Sequence, residues 1–257
     1  MSFLWPTSPA ESQPTEEPRV LHSLALRSVT VHGEQVIKSG PDLYGHEASN
    51  LKYIAANTTI PVPRVHKVEQ GGDGKTKKIY MDYMPGKPLN KAWPEMTEDQ
   101  KQSVASDLRN YVEQLRNLKG TYIGAANRGQ AVIGKFVAHG GGPFDNESQF
   151  NQFLFSRILP KVPDTFRYHA TKTFKTNHEI VFTHSDLAPR NILVDGGQVT
   201  AILDWEFAGW YPEYWEYVKA YSDFNAVPKW LDNVDMFLPR RYTEEIIAMA
   251  YLNHFSH

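Results

Sequence analysis

In the stretch THSDLAPRNILV, residues 183–194, three side chains have the types and spacing of a proton-transfer and cation-binding site. The pattern is His184-x-Asp186-x₄-Asn191, and Asp204 closes the next apolar run. Asp186 follows the apolar residues Ile180, Val181 and Phe182, so it sits on a loop after a strand and suits a base that accepts the proton of an incoming hydroxyl. Asn191 offers a neutral oxygen and Asp204 a charged one. Such a pair suits Mg²⁺ while substrate phosphates complete its shell. His184 is better placed to brace the loop than to react. Arg190 reads either as a charge steadying Asp186 or as an exposed surface residue.

The elements that must position these residues follow from periodicity. Ile192 to Val194, Asp195-Gly196-Gly197 and Val199 to Leu203 predict a β-hairpin, which brings Asn191 and Asp204 to one end of a sheet. Nearer the N-terminus, Leu26, Val29 and Val31, then Val36 and Ile37, flank the turn pair His32-Gly33 and predict another hairpin. Residues 44–57 carry Ala48, Leu51, Tyr53, Ile54 and Ala55 at mainly helical spacing. TTIPVPRVHKV, with two prolines, reads as an extended or edge segment. KKIYMDYMPGKPL is a strand running into a turn at Pro85-Gly86. Thr97 and Gln100 form a capping-box pattern ahead of a long amphipathic helix with Val104, Leu108, Tyr111, Val112, Leu115 and Leu118. Asn146 and Gln149 cap a second helix bearing Phe150, Phe153, Leu154 and Ile158. Between them, the glycine-rich residues 120–142 show no period and read as a long loop. From Pro212 onward the pattern is mostly helical, ending in an apolar helix near 243–255.

Strands with one helix therefore come first, and helices with an embedded hairpin follow. The expected fold is α+β, with a small N-terminal β-sheet lobe and a larger, mainly helical C-terminal lobe. The expected organisation is a loose tail over 1–18, a first lobe over 19–84 with a hinge near 81–84, and a second lobe over 85–257.

Composition excludes several classes. The 257 residues hold 27 basic and 29 acidic side chains with no long run of either sign, so a nucleic-acid partner is not expected. No apolar run is long enough to span a bilayer, and the first residues have no basic and apolar leader pattern. A cytoplasmic, membrane-free protein is expected. Cysteine is absent, which rules out disulfides, thiolate zinc sites and cysteine nucleophiles.

HSDLAPRNILV followed by AILDWEFAGWYPEYWEYVKA resembles the aminoglycoside phosphotransferase and choline kinase superfamily, especially its fungal branch, whose members share the protein-kinase-like two-lobed fold. The resemblance implies an ATP- and Mg²⁺-dependent transfer of the γ-phosphoryl group to a hydroxyl of a small molecule. Carried over residue by residue, it makes Asp186 the catalytic base, with Arg190 beside it, and Asn191 and Asp204 the magnesium ligands. It makes Lys38 of V-I-K the lysine that holds the α- and β-phosphates and Glu47 its partner. Met81, Tyr83 and Met84 would hold the adenine. Read alone, Lys38 and Glu47 are an ordinary strand lysine and a first-turn helix glutamate.

Two features leave alternatives. The run WEFAGWYPEYWEY packs a core through a helix begun at Pro212, or it forms an aromatic and acidic wall for a cationic acceptor, with Glu206, Trp210 and Glu213 as the substrate-facing candidates. Between Leu21 and Lys38 the only glycine is Gly33, so no glycine-rich loop covers the phosphates. That absence supports a rival reading: a kinase-fold binding module without phosphotransfer, or a cleft turned to ATP-independent chemistry.

Overall fold

The computed structural model describes residues 18–254 except 25–26, 42, 134–139, 159–161, 222–229 and 239–240. Leu26 and nearly all of the expected tail lie outside the described residues. The chain forms two compact units, Met1–Leu43 with His66–Tyr83, and Tyr44–Val65 with Met84–His257.

The first unit is a single sheet of β1 (Arg19–Leu24), β2 (Arg27–His32), β3 (Gln35–Ser39), β4 (Val65–Gln70) and β5 (Thr76–Asp82), in the order β1-β2-β3-β5-β4. β2 and β3 make the hairpin expected at His32-Gly33. Gly33 takes φ +58°, a left-handed conformation that glycine adopts without a Cβ clash. Val31, Val36, Ile79 and Met81 are buried and supply the sheet's apolar contacts. β4 is an outer strand, as its two preceding prolines predict. Its charged Lys67 and Glu69 discourage pairing with another chain. The strand β1 was not foreseen.

The second unit contains the expected helix, α1 (Glu47–Asn57), which buries Ala48, Leu51 and Ile54 at the spacing of one helical face. From the sequence, residues 44–65 were expected with the strands; they pack with the second unit instead. After the short β6 (Lys87–Pro88) and α2 (Leu89–Ala92) comes α3 (Glu98–Asn117). Its capping box is complete: the Thr97 hydroxyl accepts the Gln100 N–H at 3.2 Å, and the Gln100 side chain accepts the Thr97 N–H at 3.0 Å. Val104, Leu108, Val112 and Leu115 are buried along one face. The remaining helices are α4 (Glu147–Ile158), α5 (Asp164–Thr173), α6 (Trp215–Ala220), α7 (Trp230–Phe237) and α8 (Thr243–His254). At the N-terminus of α4, Asn146 accepts the Gln149 N–H at 3.0 Å, as its pattern predicts. Neither α5 nor the separation of the last three helices was legible.

Two small sheets interrupt the helices. β7 (Ile180–Thr183) pairs antiparallel with β10 (Gly209–Pro212). β8 (Ile192–Asp195) and β9 (Gln198–Ile202) form the predicted hairpin, with β6 added on its other side. β10 corrects the reading of the aromatic run as the start of a helix: its residues Gly209 to Pro212 are extended and buried. The glycine-rich stretch is irregular as expected but closely tied. Ile123 bridges Phe144, Gly124 bridges Trp210, and Ala131 bridges Gly141. A Cβ on Gly209 would run into the carbonyl of Gly124, so glycine is needed where these backbones meet. No described helix is long and apolar enough to cross a membrane.

Candidate active site

β7 ends where the chemistry begins. Its last residue, Thr183, and the next two, His184 and Ser185, are fully buried. Ser185 stands at φ +67°, in the left-handed region that a side chain other than glycine enters at a cost of about 1–3 kcal/mol. What holds it there is Glu216 of α6. Its carboxylate accepts the His184 N–H at 2.6 Å and the Ser185 N–H at 3.2 Å. Burial raises the Glu216 carboxyl to about 7, opposed by the two backbone donors.

His184 is the brace expected from its place in the motif. Its Nδ1 accepts the Asp186 N–H at 3.1 Å, so the ring proton sits on Nε2, which donates to the Leu203 carbonyl at 3.0 Å. The imidazole lies 4.6 Å from the Trp205 ring, centroid to centroid. Burial lowers its pKa, which favours this neutral form. His184 thus joins the loop before β8 to the loop after β9, where Asp204 lies.

Asp186 is the first member of the motif to reach solvent. Arg190 Nη2 donates to both carboxylate oxygens, at 2.6 and 2.5 Å, and Asn191 Nδ2 donates to Oδ2 at 2.8 Å and to the Asp186 carbonyl at 2.9 Å. A short 3₁₀ turn over Pro189–Asn191 folds these residues back toward Asp186. Of the two readings of Arg190, the geometry has both elements: it is half exposed and it grips Asp186.

Asn191 and Asp204 are brought close by backbone pairing, since the Leu203 N–H donates to the Asn191 carbonyl at 2.8 Å. Asp204 has φ +65°, a second non-glycine residue in the left-handed region. Carboxylate oxygens of Glu47, Asp204 and Glu206 come within 4.8 Å of one another. Three convergent carboxylates are the donors a hard dication selects, so the residues present fit Mg²⁺. α1 locks this turn in place. Asn50 Nδ2 donates to the carbonyls of Trp205 and Ala208 at 2.9 and 2.8 Å, and its Oδ1 accepts the Ala126 N–H at 3.1 Å. His46 Nε2 lies 3.0 Å from the Glu206 carbonyl.

Lys38 is on β3, opposite Val29 and Ile79, in the first unit, whereas Glu47 belongs to the second. Met81 is buried on β5, and Tyr83 just beyond it is exposed, both in the first unit; Met84 opens the second. Trp210 is buried among Phe182, Tyr53 and Tyr122, with ring centroids at 5.0, 5.6 and 6.4 Å. Glu213 is bound by Arg116 at 3.0 Å and by the Tyr242 hydroxyl at 2.8 Å. Both are buried with these partners, and most of the aromatic run packs in the core. Trp205, Tyr211, Tyr214 and Trp215 are fully buried. Residues 25–26, which connect β1 to β2, lie outside the described residues.

Asn50 and Glu216 do as much for the site as the motif residues, and the spacing rules missed both. The signal available was a mismatch of type: an amide on the apolar face of α1, and a carboxylate inside an aromatic run.

A search of curated proteins gives no match. Among solved structures, the aminoglycoside phosphotransferase APH(4)-Ia is 12% identical with a TM-score of 0.66, over 94% of this chain and 84% of that one. A ternary complex of a thermostable mutant of the same protein with ADP and hygromycin B gives 11% and 0.65, over 94% and 85%. The GDP complex of aminoglycoside 2'-phosphotransferase-IIIa gives 15% and 0.60, over 94% and 83%. These likenesses show the shared kinase-like fold. The family model described as "Phosphotransferase enzyme family" matches residues 39–238, which contain the whole loop from His184 to Asp204, and the chain belongs to that family.

Proposed function

We propose that the protein transfers the γ-phosphoryl group of ATP to a hydroxyl of a small molecule. The observation that carries the reading is the Asp186 carboxylate, held by Arg190 and Asn191 on a loop whose backbone Glu216 and His184 fix. A carboxylate so oriented accepts the hydrogen of the incoming hydroxyl and aims its oxygen, which is the main demand of this chemistry. Asn191 and Asp204 would hold Mg²⁺, with Glu47 and Glu206 adding negative charge nearby; the ion neutralises phosphate charge when bound. Lys38 would hold the α- and β-phosphates, and Met81, Tyr83 and Met84 the base, as the resemblance of V-I-K and of the segment before Pro85 implies. The acceptor hydroxyl and the use of ATP rather than another nucleotide belong to this proposal.

Calorimetric titration with ATP, with and without Mg²⁺, tests it. The expected result is Mg²⁺-dependent binding in the micromolar range that loses its Mg²⁺ dependence in Asp204→Ala. Tight Mg²⁺-dependent binding retained in that variant would remove Asp204 from the metal site. No binding of ATP under either condition would end the phosphotransferase reading.

A further inference from the structure

The turn that carries Asp204 and Glu206 is held by one helix of the same unit. Asp204 enters it at φ +65°, a conformation that a side chain other than glycine keeps only where its surroundings impose it. Trp205–Phe207 follow as a 3₁₀ turn, closed by the Ala208 N–H, which donates to the Trp205 carbonyl at 3.2 Å. Three carbonyls here are taken by side chains from the N-terminal turn of α1. Asn50 Nδ2 donates to Trp205 and Ala208, and His46 Nε2 donates to Glu206. Asn50 is fully buried and its Oδ1 accepts the Ala126 N–H. Its amide thus engages both hydrogens and the oxygen, and only one orientation satisfies all three partners.

Glu47 stands between these two residues on the same helical turn, and its carboxylate converges with those of Asp204 and Glu206. The bonds of Asn50 and His46 to the backbone therefore fix how far the Glu47 carboxylate lies from the other two. Spacing decides which ion fits. Mg²⁺ requires a near-octahedral shell at about 2.0–2.1 Å, whereas Ca²⁺ accepts a flexible shell at about 2.3–2.6 Å. Repulsion among three carboxylates drives an unbraced cluster apart, toward the spacing of the larger ion. Bonds to the backbone behind the carboxylates oppose that spread.

We propose, resting on the phosphotransferase reading, that Asn50 and His46 are positioning residues that set the preference of the Asp204 site, with Glu47 and Glu206 beside it, for Mg²⁺ over larger dications. Their polar atoms are engaged by the backbone, so they act through the turn and not on the ion. In this they resemble the outer groups that orient the ligands of a metal site.

The test is calorimetric titration of the full chain with ATP in excess Mg²⁺, in excess Ca²⁺ and in EDTA, for the parent, Asn50→Ala, His46→Leu and His46→Gln proteins. In Asn50→Ala the Kd for ATP with Mg²⁺ should rise about 10–100-fold, with a far smaller rise in Ca²⁺ and none in EDTA. His46→Leu should lower the preference for Mg²⁺ over Ca²⁺ in the same direction. His46→Gln, which keeps a donor for the Glu206 carbonyl, should retain the parent's preference. A loss of stability alone does not move this ratio. Where Asn50→Ala does not fold, the two His46 variants decide by the same ratio. An unchanged ratio in the folded Asn50→Ala and His46→Leu proteins overturns the inference and leaves the phosphotransferase reading standing, as does a parent that binds ATP equally with both metals. No binding of ATP by the parent in any of the three media overturns both.

Discussion

At the scale of single residues, the site depends on buried side chains that bond to backbone groups distant in the chain. Glu216 is the clearest case. Its carboxylate is out of water, and the two N–H groups that it accepts belong to the backbone that delivers Asp186. Truncating it leaves those donors buried without partners, at about 1–3 kcal/mol each, and relaxes Ser185 from its left-handed conformation. Glu216→Ala is therefore expected to lose about 2–4 kcal/mol of stability in denaturant melts. It should also lower kcat more than it changes ATP affinity, because it acts through the aim of Asp186. A variant with full kcat would show that the loop holds its conformation without this anchor. The motif residues could be found from the sequence because proton transfer and cation binding demand particular atom types at a fixed spacing. Asn50 and Glu216 could not, because their partners are backbone groups distant in the chain, and a backbone group has no letter in a sequence.

At the scale of elements, the chain ties helices together through ion pairs on His178. His178, just before β7, is nearly buried between two glutamates. Its Nδ1 lies 2.8 Å from Glu147 on α4, and its Nε2 lies 3.3 Å from Glu245 on α8. The Glu147 carboxylate also accepts the His178 N–H at 3.1 Å, and the ring lies 4.8 Å from that of Tyr214. Burial opposes charge on the imidazole, but the bond to Glu147 and the charges of Glu147, Glu245 and Glu213 outweigh it, so the pKa is raised. A raised folded value means that the stabilisation is fully present below the ordinary histidine pKa of 6.5 and fades as pH climbs through the folded value. The melting temperature of His178→Gln should thus fall furthest below the parent under pH 6, and the gap should narrow as the medium turns alkaline. A gap independent of pH would mean that His178 contributes packing alone. The same scale marks where periodicity misleads. Helical spacing identified α1, α3 and α4, since each buries one clean stripe. The run from Trp205 to Tyr217 is buried on every side and so has no stripe. Its strand β10 is defined by pairing with β7 and with Gly124, both remote in sequence.

At the scale of the whole molecule, the broad α+β, two-lobed plan was legible because strands cluster before helices, and the resemblance at His184 to Asp204 then named the fold. The membership of residues 44–65 was not legible. A helix shows in its own sequence which face it buries, but not what buries it. In this chain the buried Asn50 ties α1 to the turn after Asp204. The deciding measurement is the rate of γ-phosphoryl transfer from ATP to a panel of hydroxylated sugars, polyols and amino alcohols in the parent protein and in Asp186→Asn, with ATP affinity measured on the same samples. The account predicts transfer by the parent, a loss of about 10²–10⁴-fold in the variant, and nearly equal ATP binding in both. Equal transfer by the two proteins would contradict it, because the one carboxylate that the whole loop is built to hold would then have no part in the chemistry.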